Sequence, residues 1–202
     1  PGQQRTAEFS IPSRRVPDVP PRASPGGRPL SGLPRPRPRR AGLSPRTAPE
    51  GYDVKDFHGF GLDDHLLAAL DRAGLSTPTP IQREAIPLAL DGHDVLGLAQ
   101  TGTGKTLAFG LPLVAQLRAE PGRPAPKTAK ALILAPTREL VSQIAEALRG
   151  LTDGTQLRVT TVVGGQSIVR QINALARGTD ILVATPGRLI DLMDRRAVDL
   201  GQ

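Results

Sequence analysis

The sequence predicts an α/β protein with a doubly wound parallel sheet, preceded by a disordered tail. Apolar runs and amphipathic segments alternate from residue 94 onward, as they do in parallel sheets with right-handed helical crossovers. A glycine-rich loop follows the first of these runs and precedes a helical pattern. The motifs that come after this loop in the chain also follow predicted strands, which places them at the carboxyl ends, where such sheets bind ligands.

The tail, residues 1–50, differs from the rest of the chain in composition. It holds twelve prolines, ten arginines and three acidic residues, whereas residues 51–202 hold sixteen basic and sixteen acidic residues. Such a segment buries too little apolar surface to offset its ordering entropy, so we expect disorder. It could be a solvated extension or an electrostatic tether for RNA. A transit peptide is less favoured because its prolines would break an amphipathic helix.

Residues 51–202 contain the predicted fold. We expect structure from about residue 52, then a helix from Asp63 or Asp64 to Gly74 and a second helix that ends at Asp91 and Gly92. Four strands are predicted at 94–98, 131–135, 159–163 and 180–184. A helix follows each of them, at 107–117, at 139–149, from Ile168 and from Leu189. The continuous apolar runs at 131–135 and 180–184 are typical of strands buried on both faces.

Residues 99–106, the glycine loop, read Ala-Gln-Thr-Gly-Thr-Gly-Lys-Thr and are typical of a phosphate-binding loop. Glycines let backbone N–H groups turn toward an anion, and the following helix directs its positive dipole end there. Ala99 stands where the usual pattern begins with glycine, and the alternative is a glycine-rich turn with an incidental lysine. The candidate nucleotide-binding residues are Ala99, Gln100, Thr101, Gly102, Thr103, Gly104, Lys105 and Thr106, with Lys105 on the β/γ-phosphates and Thr106 on Mg²⁺ as the catalytic pair.

Motifs at 78–82 (Pro-Thr-Pro-Ile-Gln), 136–140 (Pro-Thr-Arg-Glu-Leu) and 185–189 (Thr-Pro-Gly-Arg-Leu) accompany this loop, as do Gly164 and Gly165. In this order the series resembles the amino-terminal part of the first RecA-like domain of a DEAD-box ATP-dependent RNA helicase. The resemblance runs from about Phe57 to the end of the chain. It implies ATP and Mg²⁺ as cofactors and RNA, bound through its backbone without regard to sequence, as partner.

For the adenine base, the resemblance implies contacts from Phe57, Thr77 and Gln82. An amide both donates and accepts, so Gln82 suits the adenine N6 and N7 atoms, and Phe57 would stack on the ring. The alternatives are that Phe57 is an ordinary core residue and that Gln82 is an exposed helix glutamine. Leu75 departs from the family pattern, where an aromatic residue is usual.

For RNA, the resemblance implies contacts from three segments that each follow a predicted strand. These are residues 136–138, 164–165 and 185–188, which we call the strand-end loops. Hydroxyls, glycine N–H groups and helix amino termini all bind phosphates without reading sequence. The alternatives are that Thr137 and Thr185 only cap helices and that Arg138 pairs with an internal carboxylate. The candidate RNA-binding residues are Pro136, Thr137, Arg138, Gly164, Gly165, Thr185, Pro186, Gly187 and Arg188.

The Asp-Glu-Ala-Asp motif, which in this family holds Mg²⁺ and positions water, does not occur in the sequence, and neither does a second RecA-like domain. We therefore expect residues 51–202 to be an incomplete first domain that binds ATP weakly and shows no RNA-stimulated hydrolysis. The alternatives are another P-loop NTPase, or a non-catalytic nucleic-acid-binding protein that acts through the arginine-rich tail. With no cysteine and no apolar run as long as a membrane span, we expect a cytoplasmic protein without a membrane partner.

Overall fold

The computed structural model describes residues 55–100, 102–120 and 122–201, in which four helical elements come first and parallel strands and helices then alternate. The predicted disorder of residues 1–50 lies outside these ranges. A short 3₁₀ helix at Phe57–Phe60 precedes α1 (Asp64–Arg72), α2 (Pro80–Leu90), α3 (Lys105–Ala119), β1 (Ala129–Leu134), α4 (Arg138–Thr152), β2 (Val159–Val162), α5 (Ile168–Leu175), β3 (Thr179–Ala184) and α6 (Pro186–Asp194).

The three strands form one parallel sheet in the order β1-β3-β2. Helices cover both faces of this sheet. On one face Ile181 and Val183 belong to a core shared with α1, α3 and α4, and on the other Leu182 and Ala184 belong to a core shared with α5 and α6. Alternate side chains of the central strand β3 thus enter two separate cores, which confirms the predicted doubly wound α/β architecture.

The two apolar runs that were predicted to be buried on both faces differ in the structure. All six residues of β3 are buried. In β1, Ala131 and Ile133 pack against the larger core, but Leu132 and Leu134 on the opposite face are 38% and 54% exposed. The prediction is right for β3 and wrong for β1, because β1 is an edge strand of the described sheet and its second face is only partly covered.

The apolar run at 94–98 forms no strand, which corrects the prediction for this segment. Leu96 is 90% exposed and Leu98 is 84% exposed. A strand requires hydrogen bonds to a neighbouring strand, and within the described residues neither β1 nor β2 pairs with this segment. The glycine loop therefore follows an exposed segment outside the sheet rather than a sheet strand.

Asp63 caps α1 and ties that helix to α3. Its Oδ1 atom accepts a hydrogen bond from the Leu66 N–H at 3.0 Å, and its Oδ2 atom accepts one from the Arg118 Nε at 2.7 Å. Burial by itself raises the pKa of the Asp63 carboxyl, but the Arg118 and Leu66 hydrogen bonds outweigh burial and leave the pKa lowered. The carboxylate form is therefore favoured by folding.

The lowered pKa of Asp63 predicts a pH-dependent contribution to stability. The contribution is present above the unfolded pKa of about 3.9 and is lost as the pH falls through the folded pKa. Because this pair is partly exposed, we expect Asp63→Asn to lower the free energy of unfolding by only about 0.5 kcal/mol at pH 7. Urea unfolding should show this difference shrink as the pH falls below the unfolded pKa of Asp63, with Asp71→Asn on the same helix as control. A difference that stays constant with pH would contradict the prediction.

Candidate functional site

The glycine loop leads directly into α3. Gly102 and Gly104 have φ angles of 81° and 87°, a left-handed conformation that favours glycine. Gly104 is the N-cap of α3, so Lys105 and Thr106 open the helix at the positive end of its dipole. The Lys105 amine donates a hydrogen bond to the Ala99 carbonyl across the loop. A helix amino end, a lysine amine and two permissive glycines therefore meet here, and Thr101 lies outside the described residues.

The amino-terminal turn of α2 is hydrogen-bonded to this loop. The Gln82 Nε2 atom donates to the Gly104 carbonyl at 3.0 Å, and the Thr79 hydroxyl donates to the Thr103 carbonyl at 2.8 Å. The Gln82 Oε1 atom accepts from the Thr79 N–H at 2.9 Å. A Cβ atom at Gly104 would overlap the Gln82 amide, so glycine is needed for this contact.

Gln82 is 3% exposed, so it is not the exposed helix glutamine of the alternative interpretation. Each of its amide atoms already has one protein partner, and each retains capacity for one more hydrogen bond. Sequence reasoning did not include Thr79 among the site residues. The sequence Thr-Pro-Ile-Gln could have identified Thr79, because it has the spacing of a capping box. In that pattern the residue at the helix start and the Gln three positions later are hydrogen-bonded to each other.

The two other predicted adenine contacts lie in different environments. Phe57 is 3% exposed, packs in the larger core and has its ring centroid 5.9 Å from that of Phe60. In this structure it is a core residue, and a base could stack on it only if the ring turned outward. Thr77 is exposed just before α2. The adenine contacts of both residues stay predictions.

The strand-end loops meet at the carboxyl ends of β1, β2 and β3. They line one open depression of about 570 Å³, the strand-end depression. Its lining residues are Pro136, Thr137, Arg138, Glu139, Gly164, Thr185, Gly187 and Arg188. Two predicted residues are not in this lining: Gly165 lies against Arg138, and Pro186 is the first residue of α6. Glu139 is a lining residue that the sequence analysis did not single out. Segments far apart in sequence are therefore brought together as a parallel sheet requires.

The two arginines of this depression differ in their bonding. Arg188 donates to the Gln166 carbonyl at 3.0 Å, and its Nε lies 3.7 Å from the Asp191 carboxylate. Arg138 is exposed and forms no ion pair with any carboxylate of the described residues. A Cβ atom at Gly165 would overlap the Arg138 guanidinium. Gly165 thus leaves room for an arginine whose charge is available to an anion.

Two helix amino ends border the same depression. Thr137 is the N-cap of α4, and its hydroxyl accepts a hydrogen bond from the Leu140 N–H at 3.2 Å, as the capping interpretation predicts. Thr185 is the N-cap of α6 but forms no side-chain cap bond. The α4 and α6 amino ends both favour negative charge, and Glu139 opposes it.

The described residues contain no cluster of three or more histidine, cysteine or acidic side chains with the geometry of a metal site. Thr106 lies in the first turn of α3, and the binding of Mg²⁺ by its hydroxyl stays a prediction. Among the described helices, none is both long enough and apolar enough to cross a bilayer.

Known proteins are similar to this chain in sequence and in fold. The sequence model of the DEAD/DEAH box helicase family matches residues 79–201. The ATP-dependent RNA helicase dbp10 of Sclerotinia sclerotiorum is 44% identical over 154 residues, which are 75% of this chain and 16% of dbp10. The crystal structure of the RNA-helicase Prp28 from Chaetomium thermophilum, bound to ADP, is 45% identical with a TM-score of 0.67, covering 73% of this chain and 36% of Prp28.

A more distant relative has the same fold. The crystal structure of a DEAD box protein from the hyperthermophile Methanococcus jannaschii is 35% identical with a TM-score of 0.64, covering 71% of this chain and 38% of that protein. The chain therefore spans well under half the length of these relatives. Its described part has their RecA-like α/β fold, and the family match extends over more than half of its residues. This chain belongs to the DEAD/DEAH box helicase family.

Proposed function

We propose that this chain supplies the ATP-binding and RNA-backbone-binding parts of the first RecA-like domain of an ATP-dependent RNA helicase. The observation that carries the proposal is the convergence of the three strand-end loops on one depression, with Arg138 unpaired among the described residues and two helix amino ends at its border. Each of these features binds phosphate, and none of them reads a base edge. Sequence-independent contact with a nucleic-acid backbone follows from that chemistry, and the family match makes RNA the proposed nucleic acid.

The nucleotide half of the proposal is supported by the glycine loop. Gly102 and Gly104 adopt the left-handed conformation that turns backbone N–H groups toward an anion, and Lys105 adds a positive charge at the start of α3. These residues fit a triphosphate, which Lys105 would hold, and Thr106 would ligate Mg²⁺. Bound ATP supplies a phosphoanhydride bond whose hydrolysis releases free energy, and Mg²⁺ neutralises part of its phosphate charge.

The hydrogen bonds from Thr79 and Gln82 to the glycine loop support adenine recognition by this part of the chain. An adenine that bonds to the Gln82 amide uses the remaining capacity of that amide or replaces its bond to the Gly104 carbonyl. In either case the base contacts a residue that also holds the phosphate-binding loop. Contacts to adenine and contacts to the phosphates therefore both depend on the amino-terminal turn of α2.

A binding experiment on the whole chain tests the proposal. A fluorescent ATP analogue should bind and be displaced by ATP far better than by CTP, and single-stranded RNAs of unrelated sequence should bind with similar affinity. A variant with the ten arginines of residues 1–50 replaced by glutamine separates the alternatives. If RNA affinity disappears in that variant and ATP has no effect, the protein is a nucleic-acid-binding module that acts through its tail. Nucleotide binding without any RNA binding would instead favour another P-loop NTPase. A cytoplasmic location stays a prediction.

A further inference from the structure

The outer edge of β2 is open in the described structure. On its inner side, the Arg158 carbonyl accepts a hydrogen bond from the Ile181 N–H of β3 at 3.0 Å, and the Val162 carbonyl accepts one from the Thr185 N–H directly after β3 at 2.9 Å. Peptide groups alternate in direction along a strand, so the N–H and C=O groups of Val159 and Thr161 point away from β3. No described residue hydrogen-bonds to these outward groups. An open edge of this kind is a template for pairing with another strand.

A groove of about 470 Å³, the edge groove, runs beside this open edge between β2 and α5. Gln171 of α5 is 5% exposed, and its Nε2 atom donates to the Val163 carbonyl at 2.9 Å, so it occupies the next outward position of the edge. Its Oε1 atom is buried without a partner among the described residues. The residues that line the groove include Val159, Thr161, Gln166, Ser167, Arg170 and Gln171.

We propose that the edge groove binds an extended acidic peptide segment, which adds to the sheet as a fourth strand beside β2. The outward groups of Val159 and Thr161 alternate donors with acceptors, which matches a peptide backbone, whereas the phosphates of a nucleic acid only accept. Arg170 is the one charged residue among those that line the groove, so acidic side chains complement it.

The occupant is a segment of another protein. Residues 1–50 of this chain carry ten arginines against three acidic residues, so their charge does not complement Arg170 in the groove. The groove is also distinct from the proposed RNA site. Gln166 adjoins both sites, because it lines the groove and its carbonyl accepts the hydrogen bond from Arg188. A peptide in the groove would therefore lie next to the RNA-binding surface without occupying it.

Fluorescence anisotropy with a labelled nine-residue peptide of alternating glutamate and valine tests this inference on the whole chain. We expect the glutamate peptide to bind and its lysine counterpart not to bind. Arg170→Glu should weaken binding about tenfold or more by reversing the charge at the groove. Thr161→Pro should do the same because it removes the outward N–H without breaking a bond to β3. Arg149→Glu is the matched control, since α4 packs on the opposite face of the sheet.

Amide hydrogen exchange gives a second readout, because a peptide held only by surface charge would not protect backbone amides. Addition of the glutamate peptide should protect the Val159 and Thr161 amides and leave Thr160 and Val162, which already face β3, unchanged. The inference is overturned if the lysine peptide binds equally well, if binding leaves the two outward amides unprotected, or if these amides are already protected in the free chain. Protection of the same amides by single-stranded RNA instead of the peptide would also overturn it. None of these outcomes depends on ATP binding, so failure here leaves the proposed function intact.

Discussion

Replacing Lys105 with alanine is expected to lower the affinity of the chain for ATP about 100-fold. The Lys105 amine lies across the glycine loop, within hydrogen-bonding reach of the Ala99 carbonyl, at the positive end of α3. Loss of a charged partner from a phosphate site costs about 2–5 kcal/mol, because the phosphate charge is then left uncompensated. Titration of a fluorescent ATP analogue measures the effect, and weak binding by the unaltered chain requires micromolar to millimolar protein.

Two further variants make the Lys105 result specific. Lys55→Ala removes the same kind of side chain from an exposed position and should leave ATP affinity unchanged. Gln82→Leu should weaken ATP binding relative to binding of inorganic triphosphate, because it removes the amide but leaves the loop lysine in place. Equal ATP affinities of Lys105→Ala and the unaltered chain would show that the glycine loop is a turn rather than a nucleotide site.

Replacing Arg138 with alanine is expected to weaken RNA binding by a similar factor for every RNA sequence. Arg138 is the exposed guanidinium of the strand-end depression that has no carboxylate partner among the described residues. RNA affinity falls with salt, and a plot of log affinity against log salt concentration has a negative slope. Each lost contact between a cation and a single-strand phosphate makes that slope shallower by about 0.7. Affinity measurements from low to high salt should therefore show both a loss at low salt and a shallower slope.

The close approach of Gly165 to Arg138 offers a variant that keeps the charge. A Cβ atom at Gly165, where φ is 74°, would overlap the Arg138 guanidinium and strain the backbone, so Gly165→Ala should displace the arginine and weaken RNA binding. Arg149→Ala at the far end of α4 is the control for the loss of one arginine from the same helix. An unchanged salt slope in Arg138→Ala would contradict the assignment of Arg138 to a phosphate.

Much of the local structure could be predicted because short-range chemistry decides it. Asp63 and Thr137 cap their helices as their residue types favour, and Gly74 has the left-handed φ of 69° expected at the end of α1. The strand-end loops could also be located, since each follows an apolar run. For the same reason the lining of the strand-end depression was predicted almost completely, apart from Glu139, while the RNA contacts of these residues stay predictions.

Other features depended on partners that are distant in sequence. The burial of Gln82 could not be predicted, because its amide is bonded to Gly104, twenty-two positions further along the chain. The bonding state of the two strand-end arginines could not be predicted either. Arg188 is held by the Gln166 carbonyl, whereas Arg138 remains unpaired among the described residues. A residue's type predicts what it can bond to, but only its neighbours decide whether that bond is made.

By itself, the sequence determined the α/β class, the order of helices and strands after residue 105, the glycine loop and the family to which the chain belongs. These features rest on residue types and spacings within a few turns of backbone, where capping, glycine conformation and apolar periodicity act. The tertiary structure decided that β3 is central, that β1 keeps an exposed face and that the run at 94–98 stays outside the sheet. The physical reason is that a strand exists only through hydrogen bonds to a neighbour, and an apolar run does not specify which neighbour, if any, it will have.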